Sequence, residues 1–93
     1  MEEEEKMYEK ILRAIILLGG RPTTREIADY LEINRYRVHS TGWTLRGMSL
    51  AARETSAGVT RWTIKPHQQE RVKKLLVRRY GEEDDAVTKL HRF

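Results

Sequence analysis

The first twenty residues carry apolar side chains at the three- and four-residue spacing of an amphipathic helix. The apolar positions are Met7, Tyr8, Ile11, Leu12, Ile15 and Leu18. We therefore predict a helix from about Glu3 to Leu18, whose acidic start suits the positive end of the helix dipole. The Gly19-Gly20 pair and the following Pro22 end it, because glycine favours a helix terminus and proline cannot continue the helical hydrogen bonds.

Two further helices are predicted before residue 47. Thr23 or Thr24 is suited to the N-cap of the first, and Glu26 lies close to the position that a capping box requires. This helix is short and ends near Glu32. Asn34 is a good N-cap for the third helix, which runs to about residue 46 and is closed by a glycine.

After the third helix, the spacing of apolar residues changes to that of β-strands. Two segments, Ser49 to Thr55 and Val59 to Ile64, have the composition of strands, and the Ser-Ala-Gly triplet between them predicts a tight hairpin. In the second strand Trp62 alternates with Arg61, so that one face of the hairpin can pack while the other stays in water. We interpret Trp62 as a core residue.

A last helix is predicted from about His67 to Tyr80, and Gly81 ends it. The chain therefore reads as one domain, 1–80, followed by a charged tail, 81–93. Within the tail Ala86, Val87 and Leu90 suggest one further helical turn. The order helix, helix, helix, hairpin, helix places the protein in the α+β class.

The third helix has an unusual distribution of side chains. At 100° per residue, Val38, Thr41, Gly42 and Leu45 fall on one side and form the inner face. Gly42 costs about 1 kcal/mol relative to alanine in a helix interior, which indicates close approach of a neighbouring helix. The opposite side gathers hydrogen-bond donors and flat rings: Tyr36, Ser40 and Trp43, flanked by Arg37, His39 and Thr44. This outer face is suited to contact with another molecule.

Positive charge is concentrated in the middle of the chain. The net charge of +4 over 93 residues divides into −2 for residues 1–20, +4 for residues 21–65 and +2 for the remainder. Within residues 33–65, six basic side chains accompany a single acidic one, Glu54. Such a distribution favours a polyanionic partner over a small acidic ligand.

Several classes of function lack any signal. There is no cysteine, and His39, His67 and His91 are too scattered for a metal site. Without a nucleophile motif, a phosphate-binding glycine loop or a carboxylate pair in a pocket, we expect neither an enzyme nor a cofactor. No apolar run reaches the roughly 18 residues of a membrane span. No site for a small-molecule effector is evident, and we expect a cytoplasmic, nucleoid-associated protein.

The segment TTREIADYLEINRYRVHSTGWTL resembles a helix-turn-helix unit, and GMSLAARETSAGVTRWTIKP resembles the wing that follows it. Together they resemble the winged helix-turn-helix superfamily of bacterial, archaeal and phage DNA-binding regulators. The pattern includes an Ile-Ala pair in the first helix of the unit, apolar residues at its turn and basic residues near the tip of the wing. Two positions depart from it: Thr41 stands in place of a larger aliphatic residue, and Glu32 in place of the frequent turn glycine.

The resemblance implies a sequence-specific, double-stranded-DNA-binding transcriptional regulator. Its third helix would enter the major groove, and its wing would reach the phosphate backbone or the minor groove. Base reading would fall to Arg35, Tyr36, Arg37, His39 and Ser40, next to Asn34, with Trp43 and Thr44 farther along the groove. Phosphate and wing contacts would come from Thr24, Arg25, Arg53, Thr55, Thr60 and Arg61.

The last helix leaves two arrangements open. It could pack on the first helix and complete the core of the monomer. It could also offer Val72, Leu75, Leu76 and Tyr80 to a second copy of the chain, which is the arrangement we favour. A homodimer would predict a partly palindromic DNA site with half-sites about one helical turn apart.

Two other functions compete with this reading. In a winged-helix protein-interaction module, Tyr36 and Trp43 would form an aromatic patch for a protein, and the basic charge would be incidental. A nucleic-acid-binding protein without sequence preference, acting on duplexes as an architectural protein or on single strands, is the other alternative. A continuous basic stripe from the third helix to the wing favours DNA, whereas an apolar patch rimmed by charge favours a protein partner.

Overall fold

A computed structural model of the protein describes residues 5–90. The elements within them are α1 (Met7–Leu17), α2 (Thr24–Leu31), α3 (Arg35–Gly47), β1 (Ala51–Ser56), β2 (Val59–Ile64), a 3-10 turn (Pro66–Gln68), α4 (Gln69–Tyr80) and α5 (Asp85–Leu90). This order confirms the α+β class. The predicted start of the first helix at Glu3, the end of the tail and His91 lie outside the described residues.

Side-chain caps determine where α2 and α3 begin. Thr23, not Thr24, is the N-cap of α2: its hydroxyl accepts a hydrogen bond from the Glu26 amide at 3.0 Å, and its own amide donates to the Glu26 carboxylate at 2.9 Å. Asn34 Oδ1 accepts from the Arg37 amide at 2.8 Å and caps α3. Between the two helices Glu32 adopts the left-handed conformation, with φ 56°, that glycine would adopt without strain.

The core is built around α1, which contacts each of the other four helices and β2. Its fully buried stripe includes Ile11, Leu12 and Ile15, and Trp62 of β2 is also fully buried, as predicted. The inner face of α3 contributes Val38, Gly42 and Leu45 to this core, which confirms the predicted orientation of the helix.

The segment after Gly81 belongs to the same core. Ala86, Val87 and Leu90 of α5 are buried against α1 and α4, so the suggested helical turn is present. Asp84 accepts hydrogen bonds from the Arg13 guanidinium on α1 at 2.9–3.2 Å and so fixes the start of α5.

The hairpin is a regular antiparallel pair in which Ala51 lies opposite Ile64 and Ser56 opposite Val59. Its two-residue turn has positive φ at Ala57 (52°) and Gly58 (76°), the combination that matches the twist of the flanking strands. The loop before α2 extends this sheet at its other edge: the Trp62 amide donates to the Pro22 carbonyl at 2.9 Å. No local pattern in this loop predicts that pairing.

Among residues 5–90, no helix is both long enough and apolar enough to cross a membrane.

Candidate nucleic-acid interface

Three side chains at the start of α3 project into solvent. Arg35, Tyr36 and Arg37 are exposed, and Tyr36 retains 81% of its accessible surface. Within residues 5–90 neither guanidinium makes an ion pair or a side-chain hydrogen bond. Ser40 and Thr44 are exposed farther along the helix. The predicted outer face of α3 is therefore available for contact along its length.

The charges in this first turn oppose the helix dipole. The described helices α1, α2, α4 and α5 each carry an acidic residue in their first turn, whereas α3 has none and begins with Arg35. A cation near a helix N-terminus is unfavourable by about 0.3–1 kcal/mol at an exposed position. Folding alone therefore gives no reason for arginine here, but an anionic partner would.

A cleft of about 350 Å³ adjoins the start of α3. The start of α2, the first turns of α3 and the turn of the hairpin line it, and its lining residues are Thr23, Thr24, Arg25, Arg35, His39, Gly58, Val59 and Thr60. Arg25 is exposed and lies 3.9 Å from Asp29, a contact that leaves most of its charge available. The structure thus brings Arg25, Arg35, His39 and Thr60 together, as the sequence interpretation required.

Thr24 has a different place from the one predicted. Its side chain is buried, and its hydroxyl accepts a hydrogen bond from the Trp62 indole N–H at 2.9 Å. His39 packs edge-on against the same indole, with ring centroids 6.1 Å apart. We therefore reassign Thr24 from a phosphate contact to the positioning of Trp62. The close approach at Gly42 comes from this indole and not from a helix, because a Cβ there would lie 2.2 Å from the ring.

The two arginines of the hairpin lie on opposite sides of the ladder. The turn residues, 56–59, are uncharged, and the basic residues predicted near the tip are Arg53 and Arg61 in the flanking strands. Arg53 lies opposite Trp62 in the ladder and therefore on the side that faces α3. Arg61 lies opposite Glu54 on the other side of the ladder, where its guanidinium donates to the Arg21 carbonyl at 2.8 Å. Arg61 is thus separated from the α3 surface.

The remaining hairpin candidates lie on the α3 side. Thr55 and Thr60 are opposite each other, and their hydroxyls are 3.2 Å apart. One is exposed and the other half-buried, so each keeps capacity for a further hydrogen bond.

Trp43 lies between two arginines that belong to different elements. Its side chain is 53% exposed, and the Arg46 and Arg53 guanidinium carbons lie 4.5 Å and 5.7 Å from the ring centroid. Arg46 was not among the predicted contact residues. Its i, i+3 spacing from Trp43 was the available signal, because side chains at that spacing are neighbours on a helix.

The arrangement of three helices followed by a hairpin can be compared with known proteins. Among solved structures, the chain is similar to the crystal structure of a zinc-responsive MarR family member, ZitR of Lactococcus lactis. The two are 15% identical and align with a TM-score of 0.58, over 99% of this chain and 72% of that chain. The chain has the winged helix-turn-helix fold. No protein-family model and no curated protein matches its sequence.

In this winged helix-turn-helix domain the predicted dimer residues divide into two groups. Val72 and Leu76 are fully buried in the core of the single chain, so they cannot contact a second copy without opening it. Leu75 and Tyr80 are half-buried on α4. The Tyr80 hydroxyl donates to the Glu5 carboxylate, and its ring lies 5.0 Å from the Arg13 guanidinium. Burial and that hydrogen bond raise the pKa of Tyr80 above its usual range.

Within the described part of the winged helix-turn-helix domain, no three His, Asp or Glu side chains are grouped closely enough to hold a metal ion.

Proposed function

We propose that the protein is a sequence-specific, double-stranded-DNA-binding transcriptional regulator whose α3 enters the major groove. The observation that carries this proposal is the exposed, unpaired trio of Arg35, Tyr36 and Arg37 at the start of α3, beside a cleft that adds Arg25 and Thr60. The charges of Arg35 and Arg37 oppose the dipole of α3, and within residues 5–90 their side chains make no ion pair or hydrogen bond. A polyanion in the groove would supply the missing partners.

The chemistry of the trio fits the edges of base pairs. A guanidinium can donate two parallel hydrogen bonds to O6 and N7 of guanine, and this is the commonest specific contact in major grooves. The tyrosine hydroxyl and the Ser40 hydroxyl can contact base edges or phosphates. Arg35 and Arg37 are therefore the proposed base-reading residues, with Asn34 capping the helix that carries them.

Phosphate contacts in this proposal come from the walls of the cleft. Arg25 at the start of α2 and Thr60 on the wing line the same cleft as Arg35 of α3. Phosphate contacts fix the register of a recognition helix in the groove, while base edges supply sequence choice. The fold shared with a MarR family member supports a function of this class.

We further propose a homodimer, formed through the exposed side of α4. Leu75 is its central residue, because Val72 and Leu76 are used by the core of the monomer. A two-fold pair would present two copies of α3 to successive turns of the groove. The DNA site would then be partly palindromic.

Exposed aromatic side chains favour one competing function, a protein-interaction module. Tyr36 is 81% exposed and Trp43 53% exposed, as in a patch that a protein partner could cover. However, Trp43 carries two guanidinium groups on its ring, and α3 has no acidic residue. A cationic surface of this kind is better matched to a polyanion.

Binding of a random duplex library at low and physiological salt, followed by selection of the bound sequences, tests the proposal. We expect a complex that weakens steeply with salt, because counterions are released from DNA, and a selected, partly palindromic site. Binding without a selected sequence would support the architectural alternative. The absence of a complex at low salt would contradict DNA binding and favour a protein partner.

A further inference from the structure

Trp43 gathers two positive charges that no carboxylate neutralises. Arg46 reaches its ring from the same helix, and Arg53 reaches it from β1 of the wing. Within residues 5–90 neither guanidinium has an ion-pair partner, whereas Arg13, Arg21 and Arg79 are each paired with a carboxylate at 2.9–3.0 Å. The nearest acidic neighbour along β1, Glu54, points to the other side of the ladder and pairs with Arg21.

The ring has a specific effect on these two arginines. An aromatic face attracts a guanidinium without neutralising its charge, so the hydrogen-bond donors of Arg46 and Arg53 stay available. Two cations from different elements are thereby held beside the same exposed ring. This arrangement recognises an anion with several oxygen atoms.

The tip of the wing carries no charged side chain. Ser56, Ala57, Gly58 and Val59 form the turn, and Val59 is an exposed apolar side chain. The only charge that the wing directs towards α3 within the described residues is Arg53. If the wing contacts a polyanion on that side, its charged contact comes from the body of the strand.

We propose that Arg46 and Arg53, held on Trp43, form a binding site for a backbone phosphodiester of duplex DNA, and that the wing contacts DNA through its body instead of its tip. The inference rests on the proposed function. It adds a sequence-independent contact at the end of α3 opposite to the base-reading arginines.

The position of the site along α3 fits a backbone contact. Trp43 follows Tyr36 by seven residues, which places it on the same outer face and about 10 Å farther along the axis. The major groove is about 12 Å wide, so a helix whose first turns read bases can meet the bounding strand near its other end. An acidic protein segment would match the same charges. DNA is favoured because α3 also carries Arg35 and Arg37 and has no acidic residue.

Salt-dependent DNA binding by fluorescence anisotropy tests the site. The variants are Arg46→Ala, Arg53→Ala and their combination, measured on the selected duplex and on an unrelated duplex of equal length. We expect each single variant to lose about three- to tenfold in affinity on both duplexes and to reduce the salt slope by about one, as for a lost phosphate contact. Lys89→Ala, an exposed basic residue on α5, is the control and should leave affinity and slope unchanged.

Two further variants test the contributions of the wing tip and of the Trp43 ring while Arg46 and Arg53 stay in place. Ser56→Ala removes the polar side chain of the tip, which lies outside the cleft, and should leave DNA affinity unaltered. Trp43→Leu keeps both arginines but removes the surface that holds them, and it should lower affinity by a factor similar to that of the weaker single arginine variant. A DNA-induced change in tryptophan fluorescence in the wild type, absent from Trp43→Phe, would support contact at this ring.

The outcomes distinguish this inference from the proposed function. If the wild type binds no duplex, the proposed function itself fails. If it binds, but the arginine variants keep the wild-type salt slope or the tip variant loses affinity, the site is overturned. A loss confined to the selected duplex would mean base reading and would also overturn it. A labelled polyglutamate peptide that binds the wild type more tightly than DNA, and binds Arg46→Ala and Arg53→Ala weakly, would assign the site to an acidic protein instead.

Discussion

Trp62 is the residue at which three elements meet. Its indole N–H donates to Thr24 at the start of α2, its ring lies against Gly42 in the middle of α3, and β2 supplies its backbone. His39 touches the ring edge-on. One buried side chain therefore sets the orientation of the wing relative to the proposed recognition helix.

Gly42→Ala tests this packing. A Cβ at this position would lie 2.2–2.7 Å from three ring carbons of Trp62, and the indole cannot move away easily because it is buried and hydrogen-bonded. Alanine is favoured over glycine in a helix by about 1 kcal/mol, but overpacking a core costs about 1–3 kcal/mol. We expect a net loss of stability of about 1 kcal/mol, or roughly 4–8 °C in Tm by circular dichroism.

Gly47→Ala is the matched control in the last position of the same helix. No side-chain or backbone atom lies within 4 Å of its Cβ position, so only the helix propensity should change, and Tm should stay equal or rise. A Gly42→Ala protein as stable as the wild type would show that the indole does not occupy this space.

At the scale of elements, α3 combines a good cap with unfavourable charges. Asn34 satisfies a backbone donor of its first turn, while Arg35 and Arg37 place positive charge at the positive end of the dipole. The cap keeps the helix start fixed, so that the arginines project from a defined position. The cap stabilises the start of α3, whereas its positive charges destabilise it. This combination distinguishes the start of α3 from the starts of the other described helices.

Arg35→Glu should raise the stability of the protein and lower its affinity for DNA. The exchange replaces an unfavourable charge by a favourable one at the first residue of α3, and we expect a gain in stability of about 0.5 kcal/mol in thermal unfolding. DNA affinity should fall about ten- to hundredfold at physiological salt, in line with the loss of one specific base contact. The folded protein would thus become more stable and lose its proposed activity.

Lys89→Glu in the last turn of α5 is the corresponding exchange at a helix C-terminus. Here the dipole favours the lysine, so stability should fall slightly while DNA affinity is retained, because Lys89 lies on neither α3 nor α4. Retention of DNA affinity by Arg35→Glu would contradict the assignment of the α3 start as the reading surface.

At the scale of the whole molecule, two ion pairs connect the ends of the chain. Arg13 on α1 binds Asp84 before α5, and Arg79 on α4 binds the buried Glu9 of α1 at 3.0 Å. Both pairs are partly shielded from water. They join segments about 70 residues apart, and the periodic pattern of the sequence contains no sign of them.

Asp84→Asn should reveal the contribution of the Arg13–Asp84 ion pair through the pH dependence of the free energy of unfolding. Burial raises the pKa of Asp84, but hydrogen bonds from the Arg13 guanidinium and the Ala86 amide, with the charge of Arg13, outweigh it and hold the pKa below its usual range. A carboxylate with a lowered folded-state pKa contributes stability above its unfolded value, near 4, and that stability is lost as the pH falls through the folded value. We expect the variant to be less stable by about 1.5 kcal/mol at neutral pH.

Urea unfolding from pH 7 to pH 2.5 measures this difference. The gap between wild type and Asp84→Asn should be constant above about pH 5 and should narrow as the pH falls below about 4 through the lowered folded-state pKa of Asp84. Glu82→Gln, an exposed carboxylate of the same segment, is the control and should show little change at any pH. A gap that persists unchanged into the acid range would contradict the ion pair.

Leu75→Glu tests the proposed dimer without disturbing the core. Leu75 is half-buried on α4, whereas the same exchange at Leu76 would place a charge in the core and unfold the monomer. By sedimentation we expect the wild type to have the mass of a dimer and the variant that of a folded monomer. Lys89→Glu, an exposed residue of α5, is the control for added charge. A variant that keeps the wild-type mass would place the interface elsewhere.

Local periodicity, caps and turn residues were sufficient to predict the helices, the hairpin and the outer face of α3. Asn34 as a cap, Trp62 as a core residue and the projection of Tyr36 and Arg37 all follow from such local rules. The segment around Ala86 was a weaker signal, since six helical residues have too few apolar positions to define a period.

The contacts that side chains make with other elements became known from the packing of the whole chain. The burial of Thr24 under Trp62, the direction of Arg53 towards Trp43 and that of Arg61 away from α3 depend on the register of the hairpin and on its packing against distant helices. The burial of Val72 in the monomer core likewise depends on α1 and α5. Contacts between residues far apart in the chain leave no periodic trace, so they could be found only once the elements were packed.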